Sequence, residues 1–276
     1  MSINQNFQVV LDFLTIWLNS NWSVALIGGA VGAFGGALGA QYISQRKSRR
    51  QDYYKEIKQT NKSIMISAQI CNSALGLKKQ FALPLAEKFS QTKSDIEYSA
   101  RKKLVEGDII YLEMDLVTFP APVLPLEILA TLIYSELSVV GKELSALAEI
   151  TRAQAGLTDA IKQREIAIEK FSSNETPRDL KTQRYLGHSQ LNGQVDTTYA
   201  DLVEAILDYT NDLAFFSVTL CEELIEHGDR VLKEFRKEFH FHKFPSILRP
   251  DFTASRQNGL LVSDEKYGDW TKQFSK

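Results

Sequence analysis

The chain has 276 residues, and its 32 basic and 34 acidic side chains leave a formal net charge of −2. This balance argues against a general binder of polyanions, so we expect no nucleic-acid partner. Two cysteines are too few for a disulfide framework and fit a reducing compartment.

The first segment, residues 1–21, is predicted to lie outside the cytoplasm. Phe7–Leu18 is apolar apart from Asp12, and its twelve residues are too few to cross a bilayer. We favour a helix lying on the outer leaflet, and the short arm of a re-entrant hairpin is the alternative. A cleaved signal peptide is disfavoured, because no positive charge precedes the apolar run and that run is too long and too late.

Residues 22–45 are predicted to form a transmembrane helix. Trp22–Ile43 contains no charged residue, and its 22 residues span about 33 Å, which matches a hydrocarbon core of about 30 Å. A buried helix of a soluble protein is the alternative. Because basic residues follow at once and none precede, we expect the inner (plasma) membrane, with the N-terminus outside and the bulk of the chain in the cytoplasm. The basic residues at this membrane interface are Arg46, Lys47, Arg49 and Arg50.

Small residues recur every fourth position within this helix and therefore share one face. Missing side chains let another backbone approach closely, which favours packing against copies of the same helix and hence a homo-oligomer. General tolerance of glycine in membrane helices is the alternative interpretation. One row is Gly28, Gly32, Gly36 and Ala40, and Gly35 and Gly39 form a second row beside it.

Residues 46–244 are predicted to form a cytoplasmic helical bundle. An apolar pattern with alternating steps of four and three predicts a first helix with a coiled-coil-like seam that ends at Pro84. A shorter helix follows over Leu85–Leu104 and is closed by Gly107. The seam comprises Ile57, Asn61, Ile64, Ala68, Cys71 and Leu75.

Asp108–Phe119 interrupts the helical pattern, because apolar and polar side chains alternate there with a period of two. Such a period is typical of a strand, but a single strand has no partner in a helical chain. We therefore favour a connector over a strand that pairs with its own copy. Three prolines at 120, 122 and 125 end the segment.

Two long helices are predicted next, over Leu126–Phe171 and Thr197–Phe239, with Gly156 marking a bend or a packing contact. The polar stretch Ser172–Gln194 between them has the composition of a surface loop. The fold class is thus all-α, with an elongated antiparallel bundle after the single membrane helix. The polar tail, residues 245–276, either wraps the bundle or remains loose.

The sequence contains one loose grouping of residues whose side chains could bind a metal ion. Glu223 and His227 would share a helix face, but the later histidines lie more than three turns away. We therefore prefer the interpretation that the histidines lie at a solvated helix end. We expect no metal, no cofactor and no catalytic residue. Glu113 and Asp115 offer an acid–base pair, which we interpret as a hydrated edge. The other members of the grouping are Cys221, His240 and His242.

No phosphate-binding loop, paired CxxC, HExxH or nucleophile motif is present in the sequence. The sequence therefore predicts a non-enzymatic, self-assembling membrane protein whose cytoplasmic bundle docks a protein partner, as a subunit of a bacterial membrane or defence complex. The alternative is an oligomeric pore-forming or membrane-disrupting effector gated by the bundle. A hydrolase that uses the region from His227 to His242 is a third hypothesis. The assembly interface would continue from the bilayer along the seam that begins at Ile57.

Overall fold

A computed structural model describes residue 15 and residues 21–102, 112–173, 177–190, 193–240 and 245–274, without the side chains of 21–28, 30–32 and 34. The chain forms two compact units, Met1–Lys55 and Glu56–Lys276. The described residues are mostly helical, and their β-structure is limited to one isolated antiparallel bridge, Ser189–Val195. The all-α prediction is therefore confirmed.

Among the residues that the structure describes with their side chains, no helical stretch is both long and apolar enough to span a bilayer. The predicted outer segment falls on residues that the structure does not describe, except for residue 15.

The prediction that Pro84 ends the first helix is wrong. Helix α1 (Asn21–Leu77) leads directly into a π-helical turn (Lys78–Ala82) and then into α2 (Leu83–Arg101). Pro84 lies in the first turn of α2, a position at which proline is tolerated. The π turn shifts the hydrogen-bond register immediately before it, so the chain stays helical past the proline.

The connector that follows has no regular secondary structure over residues 112–125. In its described part, Asp108–Phe119 is thus the connector that we favoured, and residues 108–111 lie outside the described ranges, as does Gly107. Helix α3 (Leu126–Thr131) and a second π-helical turn (Leu132–Glu136) come next.

The predicted helix Leu126–Phe171 is broken in two. Residues 137–141 are irregular, and α4 (Lys142–Ser172) begins only after Gly141. The φ of Gly141 is 76°, a left-handed conformation that a helix cannot contain and that favours glycine. Val140 continued the apolar pattern in the sequence, but in this break it is 77% exposed.

The predicted hairpin exists, formed by α4 and α6 (Thr198–Glu238), which pack along each other. The bounds of α6 agree with the predicted Thr197–Phe239. Gly156 is a packing contact, because a Cβ atom there would lie 2.5 Å from the ring of Tyr209. The apolar positions of α6 that form the core include Ile206, Leu213, Phe216, Leu220 and Leu224.

The polar stretch Ser172–Gln194 is not only a surface loop, as was predicted. It contains α5 (Arg178–Leu186), and the last two residues of that helix, Tyr185 and Leu186, are completely buried. Gly187 then ends the helix with a φ of 69°. A mainly polar composition hid the two side chains that anchor this segment.

The predicted coiled-coil seam is an internal packing face. Ile57, Ile64 and Cys71 are buried in the core of the second unit. Ser67 Oγ donates to the carbonyl of Ser217 at 3.2 Å, and Cys221 Sγ donates to the carbonyl of Ile64 at 3.4 Å. Because α6 covers these side chains, the expected continuation of an assembly interface along them is wrong.

The tail wraps the bundle, as one of the two alternatives stated. It contains α7 (Thr253–Gln257), a 3₁₀ turn (Asp264–Tyr267) and α8 (Gly268–Lys272). Its anchors Ile247, Phe252 and Tyr267 are buried. Its cations pair with α6 in antiparallel order, as Arg249–Asp229, Arg256–Glu222 and Lys266–Asp208.

Replacing Gly156 with alanine is expected to lower the free energy of unfolding by about 1–3 kcal/mol, because the ring of Tyr209 must move away from the added methyl group. Gly76→Ala is the matched control, since a Cβ at Gly76 meets nothing within 4 Å, and it should be neutral or stabilise by up to about 1 kcal/mol. Denaturant unfolding of both variants measures the difference. Equal effects would show that the close approach at Tyr209 is not tight.

Candidate interaction surface

A buried arginine holds the connector against the bundle. Arg164 of α4 is only 2% exposed, and its guanidinium donates to the carbonyls of Val117 at 2.8 Å and Asp115 at 3.0 Å. It also donates to Tyr199 Oη at 3.0 Å. A buried cation needs such acceptors, and the planar fork of arginine reaches several at once. The path of the connector is therefore set by one side chain of α4.

Two tyrosines complete this polar centre. Tyr199 Oη donates to the carbonyl of Asp115 at 2.8 Å, and the N–H of Asp115 donates to Tyr185 Oη at 3.1 Å. The two rings stack with their centroids 4.7 Å apart. Burial raises the pKa of Tyr199 to about 12 and also raises the pKa of Tyr185. Both phenols therefore stay protonated at neutral pH and keep these hydrogen bonds.

The carboxylates once considered as an acid–base pair lie beside this centre. Lys88 Nζ is 3.6 Å from Asp115 Oδ2 and 3.9 Å from Glu113 Oε1. The side chain of Glu113 is 90% exposed, whereas that of Asp115 is 17% exposed. The interpretation as a hydrated edge fits Glu113, and Asp115 belongs to the fastening of the connector.

Two further side chains fix the path between Pro122 and Gly141. Gln154 Nε2 donates to the carbonyl of Pro122 at 2.9 Å. Glu56 Oε1 accepts the N–H of Ser138 at 2.9 Å and also lies 2.9 Å from Nε2 of the buried His227. The irregular backbone on either side of α3 is thus held at each end by side chains from the bundle.

This fastened segment exposes large apolar side chains, which we call the connector surface. Its sequence from 104 to 141 contains no lysine, arginine or histidine, while Glu113 and Glu127 are exposed on it. Large apolar side chains exposed along one segment make that segment a candidate interaction site. The connector surface comprises Val117 (66% exposed), Val123 (99%), Ile128 (59%), Tyr134 (61%) and Val140 (77%).

The predicted membrane-packing residues all lie on α1. The surroundings of Gly28 and Gly32 lie outside the described residues. A Cβ atom at Gly35, Gly36 or Gly39 would meet nothing within 4 Å, and Ala40 is exposed. The described part of the chain therefore leaves this small-residue face uncovered. Among the basic residues, Arg46, Lys47 and Arg49 are exposed and Arg50 is partly buried.

The potential metal ligands are engaged separately. No group of three or more histidine, cysteine, aspartate or glutamate side chains converges within the ranges that the structure describes. Burial raises the pKa of the Cys221 thiol to about 12, and Glu223 pairs with Lys142 at 2.5 Å. His227 lies in the core beside Glu56, so our placement of the histidines at a solvated helix end is wrong for His227. His240 is exposed just after α6, and His242 lies outside the described residues.

Sequence reasoning missed Arg164, although one sequence feature could have found it. The apolar positions Leu157, Ile161, Ile168 and Phe171 follow the four-three rhythm, and Arg164 occupies the middle position of that series. A charged residue at a core position needs partners, so it predicts a polar centre. Its acceptors are backbone carbonyls far away in the sequence, which no local pattern identifies.

No protein-family model, curated protein or solved structure matches this chain.

Arg164→Met is expected to lower the free energy of unfolding by about 2 kcal/mol or more, because the carbonyls of Asp115 and Val117 lose their donor. Hydrogen exchange at the amides of residues 115 and 117 should also accelerate. The control is Arg152→Met on the same helix, whose side chain is 72% exposed and should matter by less than about 0.5 kcal/mol. Unchanged exchange in the Arg164 variant would contradict the fastening of the connector.

Proposed function

We propose that this protein is a single-pass, membrane-anchored, non-enzymatic interaction protein that self-assembles through α1 and docks a protein partner on its helical bundle. It would serve as a subunit of a bacterial membrane or defence complex, with its bundle in the cytoplasm. The observation that carries the proposal is the small-residue face of α1, which the described part of the chain leaves uncovered.

Anchoring is supported by the sequence of α1. Trp22–Ile43 has no charge and is long enough for a bilayer, and the basic residues begin at Arg46. Basic residues favour the cytoplasmic side, where anionic headgroups also attract them. Trp22 and Tyr42 stand near the two ends, where aromatic rings suit the membrane interfaces.

Self-assembly through α1 is supported by the contrast between its two parts. From Ile57 onward the apolar face of α1 is buried within its own chain, whereas a Cβ atom at Gly35, Gly36 or Gly39 would meet no described residue within 4 Å. Lipid tails are as apolar as leucine, so close backbone packing is the main gain that such a face offers a second helix. The proposed assembly contact is therefore confined to residues before the bundle.

Partner docking is supported by the connector surface. Its exposed side chains are apolar, and the charges exposed between residues 112 and 141 are the carboxylates of Glu113 and Glu127. A segment that contributes no cation of its own is a poor match for an anionic bilayer and a good match for a protein with an apolar centre and a basic rim. Because the connector is fastened at several points, little ordering is needed on binding.

Gly36→Leu is expected to dissociate the oligomer, because a leucine side chain separates the packed backbones. Leu38→Phe is the control, because its added bulk lies about 200° around the helix from Gly36, and it should leave the oligomer intact. The mass of the purified protein in mild detergent, measured by light scattering, gives the result. A monomeric wild type, or an unchanged mass for Gly36→Leu, would remove the assembly proposal. Ion flux through proteoliposomes that disappears in Gly36→Leu would favour the pore-forming alternative.

Val123→Asp is expected to release the partner without unfolding the bundle, because this side chain is 99% exposed. In native membranes the complex should shrink to the mass of the homo-oligomer. Val195→Asp, at a residue that is 57% exposed and lies outside the connector, is the matched control and should keep the larger complex. Native gel electrophoresis followed by mass measurement distinguishes the two. If both variants behave as the wild type does, the connector surface is not the docking site.

A further inference from the structure

A small pocket lies where the end of α4, the helix α5 and the start of α6 meet. Its volume is about 260 Å³, just below the range of about 300–1,000 Å³ that is common for drug-sized ligands. An occupant would thus be a small molecule. The side chains that matter for its chemistry are Lys170, Phe171, Arg184, Asp196, Thr198 and Tyr199.

The pocket is cationic overall, because Lys170 and Arg184 outnumber Asp196. The first turn of the 41-residue helix α6 adds positive potential on the same side. Asp196 is already engaged, since its Oδ1 accepts the N–H of Thr198 at 3.1 Å. Hydrogen bonding to the Thr198 side chain, with smaller effects of Arg184 and Lys170, keeps the pKa of Asp196 below its usual value.

One donor in the pocket is unsatisfied. Arg184 Nε is buried and has no hydrogen-bond partner among the described residues. Asp196 Oδ2 lies 3.6 Å from it, which attracts the charge but is too long for a hydrogen bond. The Arg184 side chain as a whole is 39% exposed, so the accessible part of its guanidinium group can donate to an acceptor placed in the pocket.

The aromatic wall gives the pocket a second, apolar chemistry. Phe171 and Tyr199 meet edge to face with their centroids 5.3 Å apart. Tyr199 Oη is bonded to the carbonyl of Asp115 and to Arg164, so this wall belongs to the polar centre that holds the connector. An occupant would therefore contact a ring whose other end fixes the path of the connector.

We propose that this pocket binds a small molecule bearing an oxyanion, either a phosphate or a carboxylate group. The guanidinium group of Arg184 and the ammonium group of Lys170 pair with the oxyanion, and Phe171 and Tyr199, which line the pocket, contact the rest of the molecule. Neither membrane anchoring nor partner docking requires such a pocket, so the proposal goes beyond the function proposed above.

The test uses the full chain in a neutral detergent, titrated calorimetrically with sodium phosphate and, separately, with sodium acetate at constant ionic strength. Saturable binding of at least one anion is expected. Lys170→Gln and Arg184→Gln should each weaken it about tenfold or more, as the loss of a charge-assisted hydrogen bond does. Lys162→Gln is the matched control for Lys170→Gln, because Lys162 is exposed on the same helix, α4. It should leave the dissociation constant of the anion unchanged.

Asp196→Asn separates ligand binding from a structural role. Removing the competing carboxylate should tighten anion binding severalfold, whereas a purely structural Asp196 would make the variant bind more weakly or not at all. Lys170 is exposed, so its variant is expected to fold even if Arg184→Gln does not. Absence of saturable binding of either anion to the wild type would overturn the proposal. Equal losses in the pocket variants and in Lys162→Gln would do the same.

Discussion

The burial of Arg164 is the constraint on which the second unit depends. A guanidinium that is 2% exposed must find acceptors, and it finds them in the backbone of the connector and in Tyr199. These bonds hold the irregular connector against α4. Farther along the same connector, large apolar side chains such as Val123 are exposed. A polar interaction in the interior thus anchors the segment that carries the connector surface.

Much of the fold could be predicted from periodicity, because long amphipathic helices carry a repeating record of their buried face. The bounds of α6 follow from such a record, whereas the choice between a bend and a packing contact at Gly156 required the position of Tyr209. The failures have local causes. Before Pro84, a π turn shifts the hydrogen-bond register, so the chain stays helical past the proline. At Gly141, a single residue with positive φ breaks the predicted helix although the apolar pattern continues through Val140. Neither event changes the apolar rhythm from which helices are inferred.

The candidate surface was less predictable than the fold. Its existence depends on acceptors and donors far apart in sequence, such as Gln154 with Pro122 and Glu56 with Ser138. Alternation near Asp115 indicated that the segment was not helical, but nothing in it identified which side chains would stay exposed. Tyr185 shows the opposite failure. It lies in a mainly polar stretch of sequence, and yet it is completely buried. Composition describes a segment, whereas burial depends on what that segment packs against.

Glu56 fixes the rotation about its axis of the part of α1 that belongs to the second unit. Its carboxylate meets both His227 on α6 and the N–H of Ser138 in the break before α4. Successive residues of an α-helix are about 100° apart, so a slip of one position would turn Glu56 away from both partners at once. A twist of α1 about its own axis would therefore loosen two other elements of the unit together. Only one rotation of this helix segment lets Glu56 reach both His227 and Ser138.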